Sequence, residues 1–238
     1  MNQTVHNNNY GLSIRFTSDG FSLFITDENH KHISKKNVSG NIYKLKETEI
    51  IDLLSKQSEI LLNYKSVRLI CESNTYTIIP YLFFKKDEVT EMLKFQHPDL
   101  SKDSTVLYNS LEIWDAVNIF SIPKTLADVL HQFLPEINIE HHLTTFLTDY
   151  IALQNEKCLH IWIRPEKMDV VVLNGNNPLL INTFDYNTPE DFTFHTMNAI
   201  QQLGLNPDVC KVFLYNSEKV YELSQLIGKF VASCKIIS

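Results

Sequence analysis

Glycine is scarce in this chain, with 6 in 238 residues. A phosphate cradle made of backbone N–H groups needs glycine where the chain turns tightly around the anion, and neither GxxxxGK nor GxGxxG occurs. No phosphate loop of either kind is available. Apolar runs such as Asp169 to Leu173 are strand-length and far short of the roughly 20 residues that cross a bilayer, so no membrane insertion is expected. CxxC pairs are missing too. Cys71, Cys158, Cys210 and Cys234 each fall in or beside a strand-like apolar run, where a thiol behaves as a small buried hydrophobe. Four reduced core thiols are expected, with no disulfide and no metal. No Lys/Arg-rich run offsets the net charge of −7, which repels nucleic-acid phosphates and argues against nucleic acid as a partner. Met1 to Tyr10 is polar and Asn-rich, without the basic start and apolar centre of a signal peptide, so a cytoplasmic location is expected.

What is present is an α/β pattern that occurs twice. Apolar residues make up 44% and charged residues 21%, the balance of a globular chain with a sizeable core. Residues 12–18 and 20–27 alternate apolar and polar side chains around Asp19-Gly20, a dipeptide suited to a tight hairpin turn. A third extended segment spans Ile33 to Tyr43, a helix is predicted over Glu47 to Leu62, and a strand over Ser66 to Cys71. Ser73 to Leu111 reads as an insertion with a short strand to Pro80, a helix near Asp87 to Phe95 and an extended stretch from Thr105 to Tyr108. A strand (Ala116 to Ile122), a helix (Pro123 to Phe133), a short strand (Ile137 to Glu140) and an amphipathic helix (Leu143 to Leu153) then complete the first copy.

The second copy is cleaner. Cys158 to Arg164, Met168 to Leu173 and Leu179 to Phe184 are three extended runs separated by Pro165-Glu166 and by Asn174-Gly175-Asn176-Asn177-Pro178. Thr188-Pro189-Glu190-Asp191 has the hydroxyl cap, first-turn proline and acids of a helix start, and that helix stops near Gly204. A strand at Val209 to Tyr215, a helix at Ser217 to Lys229 and a last strand at Val231 to Ile237 follow. The order β-β-β-α-β-α-β predicts a mixed five-strand sheet in each of two ribonuclease-H-like lobes, 1–155 with an insertion at about 73–111 and 156–238.

That duplicated order resembles the actin, hexokinase and heat-shock ATPase superfamily. Three segments carry a narrower resemblance: LSIRFTSDGFSLFITDE, TYTIIPYLFF at residues 75–84, and HIWIRPEKMDVVVLNGNNPLLINTFDY with its PEDF helix start. On these the chain is similar to a bacterial family known as domain of unknown function 3822, which has an actin-like ATPase fold, and more distantly to pilus-assembly and secretion-platform proteins. Active members of the superfamily hold phosphates on two glycine-containing hairpins and cradle adenosine with a Gly-Gly turn. Here strand one reads Ile14-Arg15-Phe16-Thr17 where a carboxylate is due, and the second hairpin, Ile163 to Met168, has proline and no glycine. The late strand ends in Tyr215-Asn216-Ser217. The resemblance therefore implies a degenerate nucleotide site.

The remaining candidates yield no chemistry. Asp27, Asp169 and Asp185 lie near strand ends but read as turn acids and caps, and no cofactor or metal site is expected. His30, His32, His131, His141 and His142 do not form an i, i+4 ligand pair; His141 and His142 are expected to face apart, in surface or helix-capping roles. No GxSxG or comparable nucleophile motif occurs. The expectation is a non-catalytic scaffold or assembly protein whose cleft or exposed sheet edge binds a protein partner. The alternative is a nucleotide-binding protein or phosphotransferase with a substituted phosphate site.

Overall fold

The computed structural model describes residues 11–17, 20–26, 32–40, 42–56, 66–135, 137–151, 157–215 and 220–237. Asp19, Asp27, His30, Asn216 and Ser217, and the second half of the helix expected to reach Leu62, lie outside these residues. The chain divides into two compact units, Met1–Thr145 and Phe146–Ser238.

In the first unit β1 (Gly11–Thr17), β2 (Gly20–Thr26) and β3 (His32–Ser39) form an antiparallel meander. Thr17 pairs with Gly20; the turn expected at Asp19-Gly20 includes Asp19, which lies outside the described residues. α1 (Glu47–Ser55) leads to β4 (Ser66–Cys71), which lies parallel to β1. After an excursion the chain returns through α3 (Lys124–Phe133) to β8 (Ile139–His141), which is parallel to β4 and leads into the short helix α4 (His142–Thr145). The sheet order is β3-β2-β1-β4-β8. Strict alternation along β1 buries Leu12, Ile14 and Phe16 on one face, where they share a core with Ile50 and Leu54 of α1 and Leu126 and Leu130 of α3.

The excursion consists of β5 (Tyr76–Pro80), α2 (Val89–Gln96), β6 (Ser104–Leu111) and β7 (Ala116–Pro123). One expectation changes here. The strand expected at Ala116–Ile122 in the first copy's own sheet is instead β7, the central strand of a separate antiparallel sheet, β5-β7-β6. A turn at Glu112–Trp114, closed by Asp115 at φ 47°, folds β7 straight back on β6, and hairpin pairing with a sequence neighbour prevails over a crossover to a distant strand. Leu93 of α2 packs on Val117 and Ile119 to give this sheet its own small core.

The second unit repeats the plan. A π-helical turn (Phe146–Tyr150) precedes β9 (Lys157–Arg164), β10 (Lys167–Asn174), β11 (Asn177–Asp185), α5 (Pro189–Gln202), β12 (Lys211–Tyr215), α6 (Val220–Ile227) and β13 (Ser233–Ile237). Its sheet order, β11-β10-β9-β12-β13, matches the first position for position. β9 is buried on both faces; Leu159, Ile161 and Ile163 point to a core shared with Phe192, Ile200, Leu223 and Ile227 of the two helices.

Thr188 caps α5 as its sequence requires: its hydroxyl accepts the Asp191 N–H at 3.1 Å, and the Asp191 carboxylate accepts the Thr188 N–H at 3.1 Å. The N–H groups of Asn187 and then Thr188 hold that carboxyl below its ordinary pKa. Thr188→Ala should lower unfolding stability by about 1 kcal/mol in urea titration, with an unchanged m-value.

Candidate functional site

The hairpins β1-β2 and β9-β10 are the places where the resemblance leads one to look for a phosphate site. On β1 the residues that face away from the core are Ser13, Arg15 and Thr17; the Arg15 guanidinium lies 5.1 Å from the centre of the Phe24 ring, a cation–π contact. Thr17 Oγ1 donates to the Gly20 carbonyl at 3.0 Å.

The second hairpin turns through Glu166 at φ 57°, left-handed without glycine, and its carbonyl accepts the Tyr186 N–H at 3.0 Å. Asp169, expected to be a turn acid, is instead fully buried. The register sets it opposite Trp162, well inside the sheet, and there a carboxylate must be neutralised. Arg164 does this with two bonds, Nε to Oδ2 and Nη2 to Oδ1, both at 2.8 Å, and Thr183 Oγ1 adds a third at 2.6 Å. Both carboxylate oxygens are engaged, which leaves a poor ligand for a divalent cation. Asp185 is exposed and pairs with Lys167. Among the described residues no group of three or more His, Cys, Asp or Glu could hold a metal ion.

On the same face of β9 and β12, His160 Nδ1 lies 2.8 Å from the Tyr215 hydroxyl and Nε2 lies 3.2 Å from Cys158 Sγ, with the imidazole stacked on Phe213. Burial lowers the His160 pKa to about 4 and raises that of Tyr215 above its ordinary value. Tyr215, at the end of the late strand, is buried and holds His160. Cys71, Cys158 and Cys210 are buried and Cys234 is half-buried; burial raises the thiol pKa of Cys234 to about 11.

The first unit contains a polar cluster that the sequence did not reveal as one. His141 and His142 do not face apart: the junction of β8 and α4 breaks the strand alternation between them, and their rings lie 4.3 Å apart, both buried. His141 Nε2–H donates to the Ser73 carbonyl at 2.9 Å, and its Nδ1 accepts from Asn118 Nδ2 at 2.9 Å, the pattern of a neutral ring. The Ser73 N–H reaches His142 Nδ1 at 3.4 Å, and the Ser73 hydroxyl donates to the Ser121 carbonyl at 2.7 Å. Two imidazoles thus grip the segment by which the chain enters the three-stranded sheet. Asn109 completes the junction. Its Oδ1 accepts the His141 N–H at 2.7 Å and its Nδ2 donates to the Ile139 carbonyl at 3.0 Å, so one side-chain amide makes the contacts that a neighbouring strand residue would make with the edge of β8.

Beside that junction lies a groove of about 610 Å³, bounded by β6 on one side, by Ile137 to Glu140 on another, and by Lys86, Val89 and His131. Val106 to Ser110 of β6 line it. The Ser121 N–H donates to Thr75 O, which turns alternate β7 residues toward β5 and leaves Phe120, Asn118 and Ile122 facing β6. Their partners Leu107, Asn109 and Thr105 therefore bond to β7, while Val106, Tyr108 and Ser110 direct their backbone groups outward. Of these, the Tyr108 carbonyl accepts the Asn109 amide at 3.1 Å.

A family model for "protein of unknown function (DUF3822)" matches residues 1–234. The chain belongs to this family. No curated protein matches it. Among solved structures, this DUF3822 chain is similar over 100% of its length, and over 94% of the other chain, to a Bacteroides thetaiotaomicron protein with actin-like ATPase fold and unknown function, at 24% identity and a TM-score of 0.81. It is similar over 96% of its length to a PilM-PilN type IV pilus biogenesis complex (13% identity, TM-score 0.50, 88% of that chain). A more distant likeness is to an Aquifex aeolicus member of the Ppx/GppA family (9% identity, TM-score 0.47, 92% of this chain and 69% of that one). The DUF3822 chain has the actin-like ATPase fold.

Two outcomes follow from the second-unit geometry. Arg164→Met, which strands a buried carboxylate, should cost about 3–5 kcal/mol in urea unfolding, whereas the double change Arg164→Met/Asp169→Leu should cost much less. His160 binds its proton more weakly in the folded chain than in the unfolded one. Its contribution is full above pH ~6.5 and is lost as pH falls toward about 4, so stability should decline across that window, and His160→Leu should flatten the decline in pH-dependent unfolding curves.

Proposed function

We propose that this protein is a non-catalytic scaffold or assembly factor that holds a protein partner by adding an extended segment of it to the outer edge of β6. The carrying observation is the contrast between β6 and the other strands at sheet edges. Sheet edges are ordinarily protected by short length, proline or lysine. β3 contains Lys35 and Lys36, β5 ends in Pro80, β11 contains Pro178 and β13 contains Lys235. β8 has just three residues, and Asn109 occupies its edge. β6, Ser-Thr-Val-Leu-Tyr-Asn-Ser-Leu, runs for eight residues with no charge, proline or glycine and opens on a groove. Main-chain pairing would give such a partner its affinity, and pockets for alternate side chains its specificity.

The state of the hairpins supports a role without catalysis. Phosphoryl transfer relies on oriented N–H donors, metal and cations, and here the buried carboxylate of the second hairpin is engaged by Arg164 and Thr183. The PilM-PilN complex, an assembly of two proteins around a similar fold, agrees with partner binding.

The test compares wild type with Val106→Pro and Ser110→Pro, both at outward-facing positions where proline leaves the β7 pairing intact. Each variant should fold with a loss of no more than about 1–2 kcal/mol. A specific protein identified with the wild type in pull-downs from native cells should be absent with both variants, and ATP with magnesium should leave the melting temperature unchanged. Folded proline variants that retain that protein contradict the docking edge. A nucleotide-dependent stabilisation, about 2.7 kcal/mol at 100 times the dissociation constant, contradicts the non-catalytic role.

A further inference from the structure

Resting on the docking edge of β6, we infer that the partner segment is acidic as well as extended, with an Asp or Glu side chain set against Lys86. The ionisable groups that line the groove are Lys86, His131, Glu140 and the Tyr108 phenol. Glu140 is already neutralised: Arg68 Nε donates to Oε1 at 2.9 Å, Arg68 Nη2 donates to Oε2, and Thr145 Oγ1 adds a bond to Oε2 at 3.2 Å. Such a two-pronged pair leaves no net charge to attract a cation. His131 donates Nδ1–H to the Ala127 carbonyl at 2.8 Å.

Lys86 differs from all of these. It is exposed on the short turn Lys86–Glu88 before α2 and makes no ion pair among the described residues, while its neighbour Lys85 is tied to Glu88 at 3.1 Å. Asp87, on the same turn, is the nearest carboxylate in sequence and does not line the groove. One uncompensated cation therefore sits on the wall of a groove in a chain whose net charge is −7. A basic segment would be repelled by Lys86 and by no carboxylate rewarded, since Glu140 is engaged. An acidic one gains an ion pair at the rim and is guided toward the edge strand. Val89, Val106 and Ile137 supply the apolar walls for the segment's alternate side chains.

The experiment uses three fluorescein-labelled peptides, Ser-Val-Thr-Val-Xaa-Val-Thr-Val-Ser with Xaa as Glu, Gln or Lys, titrated by fluorescence anisotropy against the full chain and its Ser110→Pro, Lys86→Glu and Lys86→Gln variants. The Glu peptide should bind about fivefold more tightly than the Lys peptide at low salt, the gain expected of one rim ion pair. The difference should shrink at about 0.5 M salt as screening shortens its range. Lys86→Glu should reverse the order, which a fold defect could not do, and Lys86→Gln should abolish the preference while leaving the Gln peptide unaffected. Equal affinities for the Glu and Lys peptides in wild type, both lost in Ser110→Pro, overturn the acidic preference and leave the docking edge standing. Peptide binding that survives Ser110→Pro, or no binding of any peptide, overturns the docking edge and this inference with it.

Discussion

A β-strand in the middle of a sheet satisfies its backbone donors and acceptors on both sides, and a strand at an edge leaves one side to be satisfied some other way. In the first unit this requirement is met in different ways on two facing edges. β8 is three residues long, and the amide of Asn109 bonds to the Ile139 carbonyl and the His141 N–H in place of another strand. β6 presents alternate backbone groups to a groove, with Val106, Tyr108 and Ser110 turned outward. The same residue, Asn109, serves both: from β6 it closes the edge of β8 and bonds its own neighbour's carbonyl. Asn109 is thus one of the links between the three-stranded sheet and the five-stranded one, and the groove lies beside it.

Polar groups buried around that junction fix where the excursion leaves and re-enters the main sheet. Ser73 on the way out is held by His141 and His142, and Asn118 on the way back bonds His141 and Thr144. A network of this kind is costly if half satisfied and specifying when nearly complete, which favours one placement of the insertion over many. In the second unit the analogous role falls to charge. Arg164 and Asp169 form a bidentate pair inside the second sheet, which makes this buried carboxylate part of the sheet's packing.

Much of the architecture was legible from the residues. Period-two alternation marked β1 and β2, Thr188-Pro189-Glu190-Asp191 marked the start of α5, and the duplicated order of elements led to the actin-like fold that the structural likeness shows. The errors share a physical origin. β7 was misassigned because an apolar strand reads alike whether it pairs with its hairpin neighbour or crosses over, and periodicity is silent on partners. Asp169 and His141 were read as exposed because a polar residue's neutralising partner is distant in sequence or set by register. A usable clue was present: Asn118 interrupts the apolar run Ala-Val-Asn-Ile-Phe, and a polar amide at a buried register demands buried partners. The open edge of β6 could not be read at all before its pairing was known, since it follows from which side of the strand β7 occupies.

Amide hydrogen exchange along β6, followed by NMR with and without the Glu-containing peptide, tests the central claim most directly. An open edge on a formed strand predicts alternation: Thr105, Leu107 and Asn109 exchange slowly because they bond to β7, while Val106, Tyr108 and Ser110 exchange quickly in the free protein and become protected when peptide is bound. Uniform protection of all six in the free protein, or outward amides that stay fast at saturating peptide, would contradict a docking edge on β6.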